Sequence, residues 1–298
     1  HVHFAAADSP VPPGEEWVHT QWELALARGR RGRPILLVLD EIQKVRGWSE
    51  AVKARWDQRG RTPDVRVLLL GSSALQVQRG LTESLAGRFL LHRCGHWSWP
   101  EMRTAFGFSL RDWIFFGGYP GAAAFKSDPA AWATYVNDAL VETVIARDVL
   151  QLSNVAKPAL LRHLFGLAAT YPAQILSYNK MLGRLQDAGN TTTLAHYLSL
   201  LEGAFLISGL EAYKGGRMPR RGSSPKLVTW NNALVNAVRG DSPSAASADP
   251  AWWGRLVENA VGGHLLGAPG GAAHRVFYWR QGDLEVDYVV KTPKHVWA

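Results

Sequence analysis

The first 95 residues alternate short apolar runs with segments of helical periodicity. Residues 2–8, 34–41, 65–73 and 89–95 predict strands, and the two middle runs are apolar on both faces, as buried parallel strands are. Trp48, Val52 and Trp56 recur on one face of a predicted helix, and residues 17–27 predict another. This alternation predicts a doubly wound α/β sheet, whose ligands bind beyond the carboxyl ends of the strands.

The pattern becomes helical after residue 100. Residues 117–125 are turn-rich and close the first region, and residues 132–152 predict a long helix. Three further helical segments and two strands, residues 204–213 and 226–230, predict a winged helix. We expect residues 191–203 to be its recognition helix, with Thr191 to Thr193 supplying the N-cap, and the hairpin loop to be its wing.

A low-complexity stretch, residues 240–250, precedes a last helix and strand hairpin. Three domains are therefore predicted, at residues 1–125, 126–239 and 251–298. The length of 298 residues and the 47% hydrophobic content agree with two or more globular domains.

Charge and cysteine content indicate the kind of partner and the cellular compartment of the protein. The net charge of +8, from 33 Lys+Arg and 25 Asp+Glu, favours an anionic partner such as nucleotide or DNA. Alternatively, the positive charge only reflects a proteome that is rich in arginine. The single Cys94 excludes an internal disulfide and fits a reducing compartment. Because no apolar run approaches the ~18 residues of a membrane span, a cytoplasmic protein without a membrane partner is predicted.

Candidate chemistry lies at the predicted strand ends. Asp40 and Glu41 follow one buried strand, and Ser72 and Ser73 follow the next. In a nucleotide hydrolase the Asp would help to hold Mg²⁺, the Glu would polarise the attacking water, and a serine hydroxyl would sense the γ-phosphate. Alternatively, the two acids are solvated side chains at an exposed strand end.

Several further motifs occur in order along the chain: LVLDEIQKVRGWSEAVKARWD, LLLGSSALQVQRGLTESLAGRF, HWSWPE and FFGGYP. Together they resemble prokaryotic AAA-type ATPases that carry a C-terminal nuclease-like domain of unknown function. The resemblance implies ATP and Mg²⁺ as cofactors, Asp40 and Glu41 as the Walker B pair, and Ser72 and Ser73 as the sensor segment. It also implies a homo-oligomer, in which Arg88 would be a phosphate-directed or inter-subunit arginine; alternatively, Arg88 is a solvated cation.

One family motif is absent from these residues. The phosphate loop G-x-x-x-x-G-K-[ST] occurs nowhere in the sequence, and neither does any Gly-Lys dipeptide. We expect a chain truncated before His1 that lacks the first strand and the loop. The alternative is a DNA-binding regulatory or defence-type protein whose ATPase core is degenerate.

The predicted wing loop, residues 214–226, contains five cations and no acid: Lys214, Arg217, Arg220, Arg221 and Lys226. These cations would bind the phosphates of nucleic acid, or they form only a solvated loop. Shortly after the loop, Asn231 and Asn232 stand where the family resemblance leads us to expect an acidic residue.

The final segment resembles the start of a PD-(D/E)XK nuclease-like fold. Glu258 on the helix and Asp287 on the second strand would be Mg²⁺ ligands, and Glu285 alternates with Asp287 on the same strand face. The E-x-K strand would follow Ala298, so the module is expected to be partial and inactive in this chain. Alternatively, Glu258 and Asp287 belong to a degenerate scaffold.

The predicted fold class is therefore α/β: a P-loop NTPase-like parallel sheet lacking its first strand and phosphate loop, then a helical and winged-helix module, and a partial α+β nuclease-like module. The predicted function is an ATPase in the full-length protein, which couples nucleotide state to the winged-helix and nuclease-like module, and this chain alone is predicted to be inactive.

Overall fold

The computed structural model describes the following residues: 1–29, 33–58, 65–71, 84–150 (backbone alone at 147 and 148), 155–185, 189–215, 223–268 and 274–298. The chain forms two compact units, residues 1–90 and residues 91–298. None of the described helices is long and apolar enough to cross a lipid bilayer.

The first unit contains a three-stranded parallel sheet. Its strands are β1 (Val2–Ala6), β2 (Ile35–Asp40) and β3 (Val65–Leu69), with β2 in the centre. The helices α1 (Glu15–Arg28) and α2 (Trp48–Asp57) connect them, and a 3₁₀ turn, Ile42–Lys44, follows β2. The predicted parallel α/β arrangement of this region is confirmed, and it fits a P-loop-like fold.

The core of the first unit lies on one face of this sheet. Trp22 of α1 and Trp48 of α2 pack against the fully buried side chains of Leu37 and Leu39 in β2. On the opposite face the register aligns Phe4, Val38 and Leu68, and there Phe4 is 58% exposed and Leu68 is 42% exposed. One face of the sheet is therefore closed by helices, whereas the other presents apolar surface.

The predicted fourth strand, residues 89–95, is wrong. These residues have no regular secondary structure, and Leu90 is 88% exposed. A strand requires a hydrogen-bonded neighbour, and in the described part of the chain no backbone hydrogen bond pairs this segment with β3. The apolar composition of the segment could not reveal that such a neighbour is missing.

The second unit begins with short helices, α3 (Trp99–Phe106) and α4 (Leu110–Phe116). Each starts with a capping box, formed by Ser98 with Glu101 and by Ser109 with Asp112. After a 3₁₀ turn, Pro120–Phe125, comes a helical stretch that agrees with the long predicted helix. It consists of α5 (Pro129–Thr134) and two π-helical segments, Tyr135–Val141 and Val144–Leu150.

The predicted three helices and hairpin are present in the middle of the second unit. They are α6 (Pro158–Thr170), α7 (Tyr178–Leu182) and α8 (Thr191–Gly203), and the strands β4 (Gln174–Ile175), β5 (Ile207–Leu210) and β6 (Lys226–Thr229) form an antiparallel sheet in the order β4-β6-β5. The N-cap of α8 is Asn190, whose Oδ1 accepts from the Thr193 amide at 2.8 Å. The threonines predicted to cap this helix instead form its first turn.

Three helices and a three-stranded antiparallel sheet complete the described part of the unit. The helices are α9 (Ala233–Arg239), α10 (Pro243–Ala248) and α11 (Pro250–Gly267), and the strands are β7 (Arg275–Gln281), β8 (Leu284–Lys291) and β9 (Val296–Trp297). The low-complexity stretch thus forms a capped helix, α10. The three predicted domains, residues 1–125, 126–239 and 251–298, stay a prediction.

Candidate functional site

Asp40 and Glu41 lie at the carboxyl end of the central strand, as predicted. Asp40 is the last residue of β2, and its Oδ1 accepts from the backbone amide of Glu41 at 2.9 Å. Glu41 has a left-handed backbone conformation, with φ of 53°. For a residue with a Cβ this conformation is unfavourable, and such strain is concentrated at functional sites.

The Glu41 carboxylate is held by two side chains of the following 3₁₀ turn. Its Oε2 lies 3.0 Å from Gln43 Nε2 and 3.2 Å from Lys44 Nζ. Lys44 also pairs with Asp8, which follows β1, at 2.8 Å. Sequence reasoning missed Lys44, although its position three residues after Glu41 is the spacing of neighbours on a helical turn.

The end of β3 lies beside these acids. The Leu70 amide donates to Leu39 O at 2.9 Å, and the Ile42 amide donates to Leu70 O at 3.1 Å. The predicted sensor residues Ser72 and Ser73 lie outside the described residues. Their assignment stays a prediction, supported by the position of residue 70 next to the acidic pair.

Arg88 forms a bidentate ion pair with Asp57, the last residue of α2. Its Nε and Nη2 donate to the two carboxylate oxygens of Asp57 at 2.9 and 3.1 Å. This hydrogen bonding raises the pKa of Arg88 and lowers the pKa of Asp57. The proposed role of Arg88 toward phosphate or another subunit stays a prediction, and it would require exchange of this partner.

Lys226 occupies a different environment from the one expected of a loop cation. It is the first residue of β6, and its side chain is fully buried. Its Nζ lies 2.5 Å from Glu258 Oε1 in α11 and 2.7 Å from Asp287 Oδ1 in β8, with Glu285 Oε1 at 3.5 Å. The expectation that Lys226 binds nucleic-acid phosphate is therefore wrong, because its ammonium is enclosed by these carboxylates. We call Lys226, Glu258, Glu285 and Asp287 the lysine–carboxylate cluster.

The two predicted Mg²⁺ ligands thus meet in space, at the Lys226 ammonium. Burial raises the pKa of Glu258, whereas the hydrogen bond and charge of Lys226 outweigh burial and lower the pKa of Asp287. Among the described residues, no group of three or more His, Cys, Asp and Glu side chains is arranged to hold a metal ion. Metal binding by Glu258 and Asp287 stays a prediction.

The remaining cations of the predicted wing are only partly described. Lys214 is exposed, whereas Arg217, Arg220 and Arg221 lie outside the described residues. Their proposed contact with nucleic acid therefore stays a prediction.

Buried asparagines form a network that sequence reasoning did not anticipate. Asn232 Nδ2 donates to Ile114 O and Leu256 O, both at 2.8 Å. Asn259 Nδ2 donates to Asn232 Oδ1 at 2.8 Å, and Asn259 Oδ1 accepts from the Thr229 amide at 3.0 Å. An amide serves here because it can donate to carbonyls, which a carboxylate cannot do. The sequence did contain one indication of this network, because Asn231 and Asn232 stand where the resemblance to AAA-type ATPases leads us to expect an acidic residue.

Comparison with known proteins gives two matches to family models. Residues 15–103 match the model described as an AAA domain, and residues 107–245 match a domain of unknown function, DUF8612. The first segment is similar to AAA-type P-loop ATPase domains. It contains Asp40, Glu41 and Arg88. No curated protein and no solved structure matches the chain.

Proposed function

We propose that the first unit is the nucleotide-hydrolysing core of an AAA-type ATPase. The observation that carries this proposal is the pair Asp40 and Glu41, which ends the central parallel strand within the segment similar to AAA domains. In open parallel sheets this edge is where ligands bind. The alternative, two solvated acids at an exposed strand end, does not account for the contacts that Gln43 and Lys44 make with the Glu41 carboxylate.

The donor set at this edge suits a Mg²⁺–triphosphate. Asp40 is only partly buried and supplies a carboxylate, the oxygen donor that Mg²⁺ prefers. We assign Asp40 to the metal, which when bound would neutralise charge on the phosphates. The group that cradles phosphate in this class, G-x-x-x-x-G-K-[ST], is not among the 298 residues, so the test uses the product of the complete reading frame.

Glu41 is assigned to orient and deprotonate water. Gln43 and Lys44 hold its carboxylate in one direction, which favours a defined geometry over a mobile side chain. Glu41 and Asp40 therefore have separable tasks.

The decisive experiment measures ATP binding and ATP turnover separately. Glu41→Gln should retain ATP binding and reduce turnover by roughly 10²-fold or more, because the amide keeps the shape but cannot accept the proton. Asp40→Asn should instead weaken Mg²⁺-dependent nucleotide binding. Glu23→Gln is the matched control, because Glu23 is an exposed acid that pairs with Arg55 on the helical side of the same unit. Unchanged turnover in Glu41→Gln would refute the assignment.

We further propose that nucleotide state acts on the second unit as a nuclease-like or nucleic-acid-binding module. Support comes from the lysine–carboxylate cluster, which unites the two predicted acids of that module, and from the helices and hairpin of the predicted winged helix. The test compares limited proteolysis of residues 91–298 in the complete protein with ADP and with a non-hydrolysable ATP analogue. Identical cleavage patterns with both nucleotides would count against coupling.

A further inference from the structure

Asp8 is a further acid at the edge of the sheet where Asp40 and Glu41 lie. It follows the end of β1, and the parallel register aligns Ala6 of β1 with Asp40 of β2. The Ala7 amide continues this alignment, because it donates to Asp40 O at 2.9 Å. The segment that leaves β1 therefore begins beside the acidic pair, at the edge where parallel sheets bind their ligands.

The Lys44 ammonium joins the ends of these two strands. Its Nζ lies 2.8 Å from Asp8 Oδ1 and 3.2 Å from Glu41 Oε2. The hydrogen bond with Asp8 is the main reason that the pKa of Lys44 is raised, so the ammonium is charged at neutral pH. The side chain of Asp8 is 75% exposed, whereas that of Glu41 is 23% exposed. We call Asp8, Lys44 and Glu41 the lysine bridge.

Hydrogen bonds of the backbone restrain both sides of the lysine bridge. The Lys44 amide donates to Glu41 O at 2.9 Å within the 3₁₀ turn that follows β2. The Arg46 amide donates to Pro13 O at 2.9 Å, so the chain after this turn is attached to the segment after β1. Three of residues 10–13 are prolines, and each proline fixes its own φ angle. The lysine bridge thus connects two restrained pieces of backbone.

The contact with Asp8 changes what Lys44 can do for Glu41. A lysine has a long flexible stem, and ordering it costs up to about 2 kcal/mol in lost conformational entropy. Because Asp8 already holds the ammonium, Lys44 can contact Glu41 without ordering its whole side chain for that contact alone. Gln43 adds a hydrogen bond to the same carboxylate oxygen at 3.0 Å. The orientation of Glu41 therefore depends in part on an acid that follows a different strand.

We propose that Asp8 and Lys44 are positioning residues for ATP hydrolysis, an inference that rests on the function proposed above for the first unit. Asp8 holds Lys44, and Lys44 holds the carboxylate that deprotonates water. A base must lie within hydrogen-bonding distance of the proton that it accepts, and a displacement of about 1 Å can lower the rate about 10²-fold. The lysine bridge thus governs turnover rather than nucleotide binding.

ATP binding and kcat are measured on the product of the complete reading frame. Lys44→Met removes the ammonium and should lower kcat about tenfold or more, while the Kd for ATP stays within about twofold. Lys44→Arg keeps the positive charge and should retain more turnover than Lys44→Met. Asp8→Asn should lower kcat about threefold, a smaller loss because the contact between Lys44 and Glu41 persists.

A double-mutant cycle tests whether Asp8 acts through Lys44. In a protein that already carries Lys44→Met, Asp8→Asn should cause no further loss of kcat, because the two residues act in series. Lys53→Met is the matched control, since Lys53 pairs with Glu50, three residues before it on α2, just as Lys44 pairs with Glu41. This control should leave both kcat and the Kd for ATP unchanged.

Amide hydrogen exchange of the 298-residue chain reports the positioning without ATP. The amides of residues 41–46 should exchange faster in Lys44→Met and in Asp8→Asn, because the turn loses an attachment, and Lys53→Met should leave their exchange unchanged. The free energy of unfolding should change by about 1 kcal/mol or less, because partly exposed ion pairs contribute little to stability. Unchanged exchange in both bridge variants would overturn the inference.

The outcomes separate this inference from the proposed function. If Glu41→Gln reduces turnover whereas Lys44→Met turns over as the parent protein does, the positioning role fails and the ATPase assignment stands. If Glu41→Gln leaves turnover unchanged, the ATPase assignment itself fails. Weakened ATP binding in Lys44→Met with kcat unchanged would place Lys44 on the nucleotide and would also overturn the positioning role.

Discussion

The ammonium of Lys226 lies 2.7 Å from the carboxylate of Asp287, although the two residues are 61 positions apart in the sequence. Glu258 of α11 contacts the same nitrogen. The Lys226 ammonium also lies over the aromatic ring of Tyr288, 5.1 Å from the ring centroid. A buried ammonium at the meeting point of two strands and a helix links three elements of the second unit. Its removal would leave several carboxylates facing one another without a cation.

Lys226→Met should therefore destabilise the second unit strongly. Loss of one member of a buried ion pair typically costs about 3–5 kcal/mol, because the remaining charges are left uncompensated. The measurement is urea denaturation at pH 7, followed by circular dichroism. Lys291→Met, on the exposed end of β8, is the control and should change the free energy of unfolding little. Equal effects of the two substitutions would show that the cluster does not stabilise the fold.

The pH dependence of stability should report the two acids separately. The lowered pKa of Asp287 contributes stability above its ordinary pKa, and this contribution is lost as the pH falls through the pKa in the folded state. The raised pKa of Glu258 acts in the opposite direction, because stability is lost as the pH rises through it. Denaturation at several pH values between 3 and 7 (about the range set by ordinary carboxyl pKa values) should resolve both.

Glu258→Gln and Asp287→Asn isolate these contributions. In Glu258→Gln, stability should no longer fall as the pH rises above the ordinary pKa of Glu258, because the amide has no proton to release. The second should remove part of the loss in acid and lower stability at pH 7, since a neutral amide pairs less strongly with Lys226. If neither substitution alters the pH profile, other titrating groups control acid unfolding.

Asn232→Asp should destabilise the protein more than Asn231→Asp does. The amide of Asn232 donates to two backbone carbonyls, and a carboxylate would place negative charge against both. The expected loss is at least about 3 kcal/mol, since a buried carboxylate replaces the donor that faces two carbonyl oxygens. Within the described residues, the Asn231 side chain only accepts hydrogen bonds, so its replacement by Asp keeps them. Thermal unfolding of the two isosteric variants provides the comparison.

No metal-dependent cleavage of DNA or RNA by the 298-residue chain is expected. Both predicted metal ligands, Glu258 and Asp287, already accept from Lys226, and a metal ion would have to displace that ammonium. Incubation of plasmid DNA and single-stranded RNA with the chain and Mg²⁺ or Mn²⁺ checks this expectation. Cleavage that disappears in Asp287→Ala would contradict it and would establish a working nuclease centre.

Local patterns predicted the first unit well. The strands and helices were visible because apolar runs and a recurring tryptophan face are properties of neighbouring residues. Asp40 and Glu41 were found for the same reason, since they follow directly on a buried strand. Lys44 escaped notice because its significance depends on the geometry of the turn that brings it to Glu41.

The second unit was harder to predict because its important contacts are long-range. Lys226 was grouped with loop cations by composition, and only the pairing of β6 with α11 and β8 shows that it is enclosed. Similarly, Asn232 meets Ile114 across 118 positions of sequence. Neither contact has a local signature, whereas the antiparallel hairpin of β7 and β8 was apparent from alternating residues within one segment.

Tyr278 of β7 hydrogen-bonds both ends of the segment that precedes Lys226. The chain is fastened on one side by the Tyr213 amide, which donates to Tyr278 O at 2.6 Å, and on the other by Ser224 O, which accepts from the Tyr278 hydroxyl at 2.6 Å. Tyr278 therefore fixes the distance between residues 213 and 224, whatever the length of chain that joins them. Because doubling the length of a flexible connection costs only about 0.6 kcal/mol, an epitope or fluorescent reporter inserted after Gly215 is expected to leave both hydrogen bonds to Tyr278 in place.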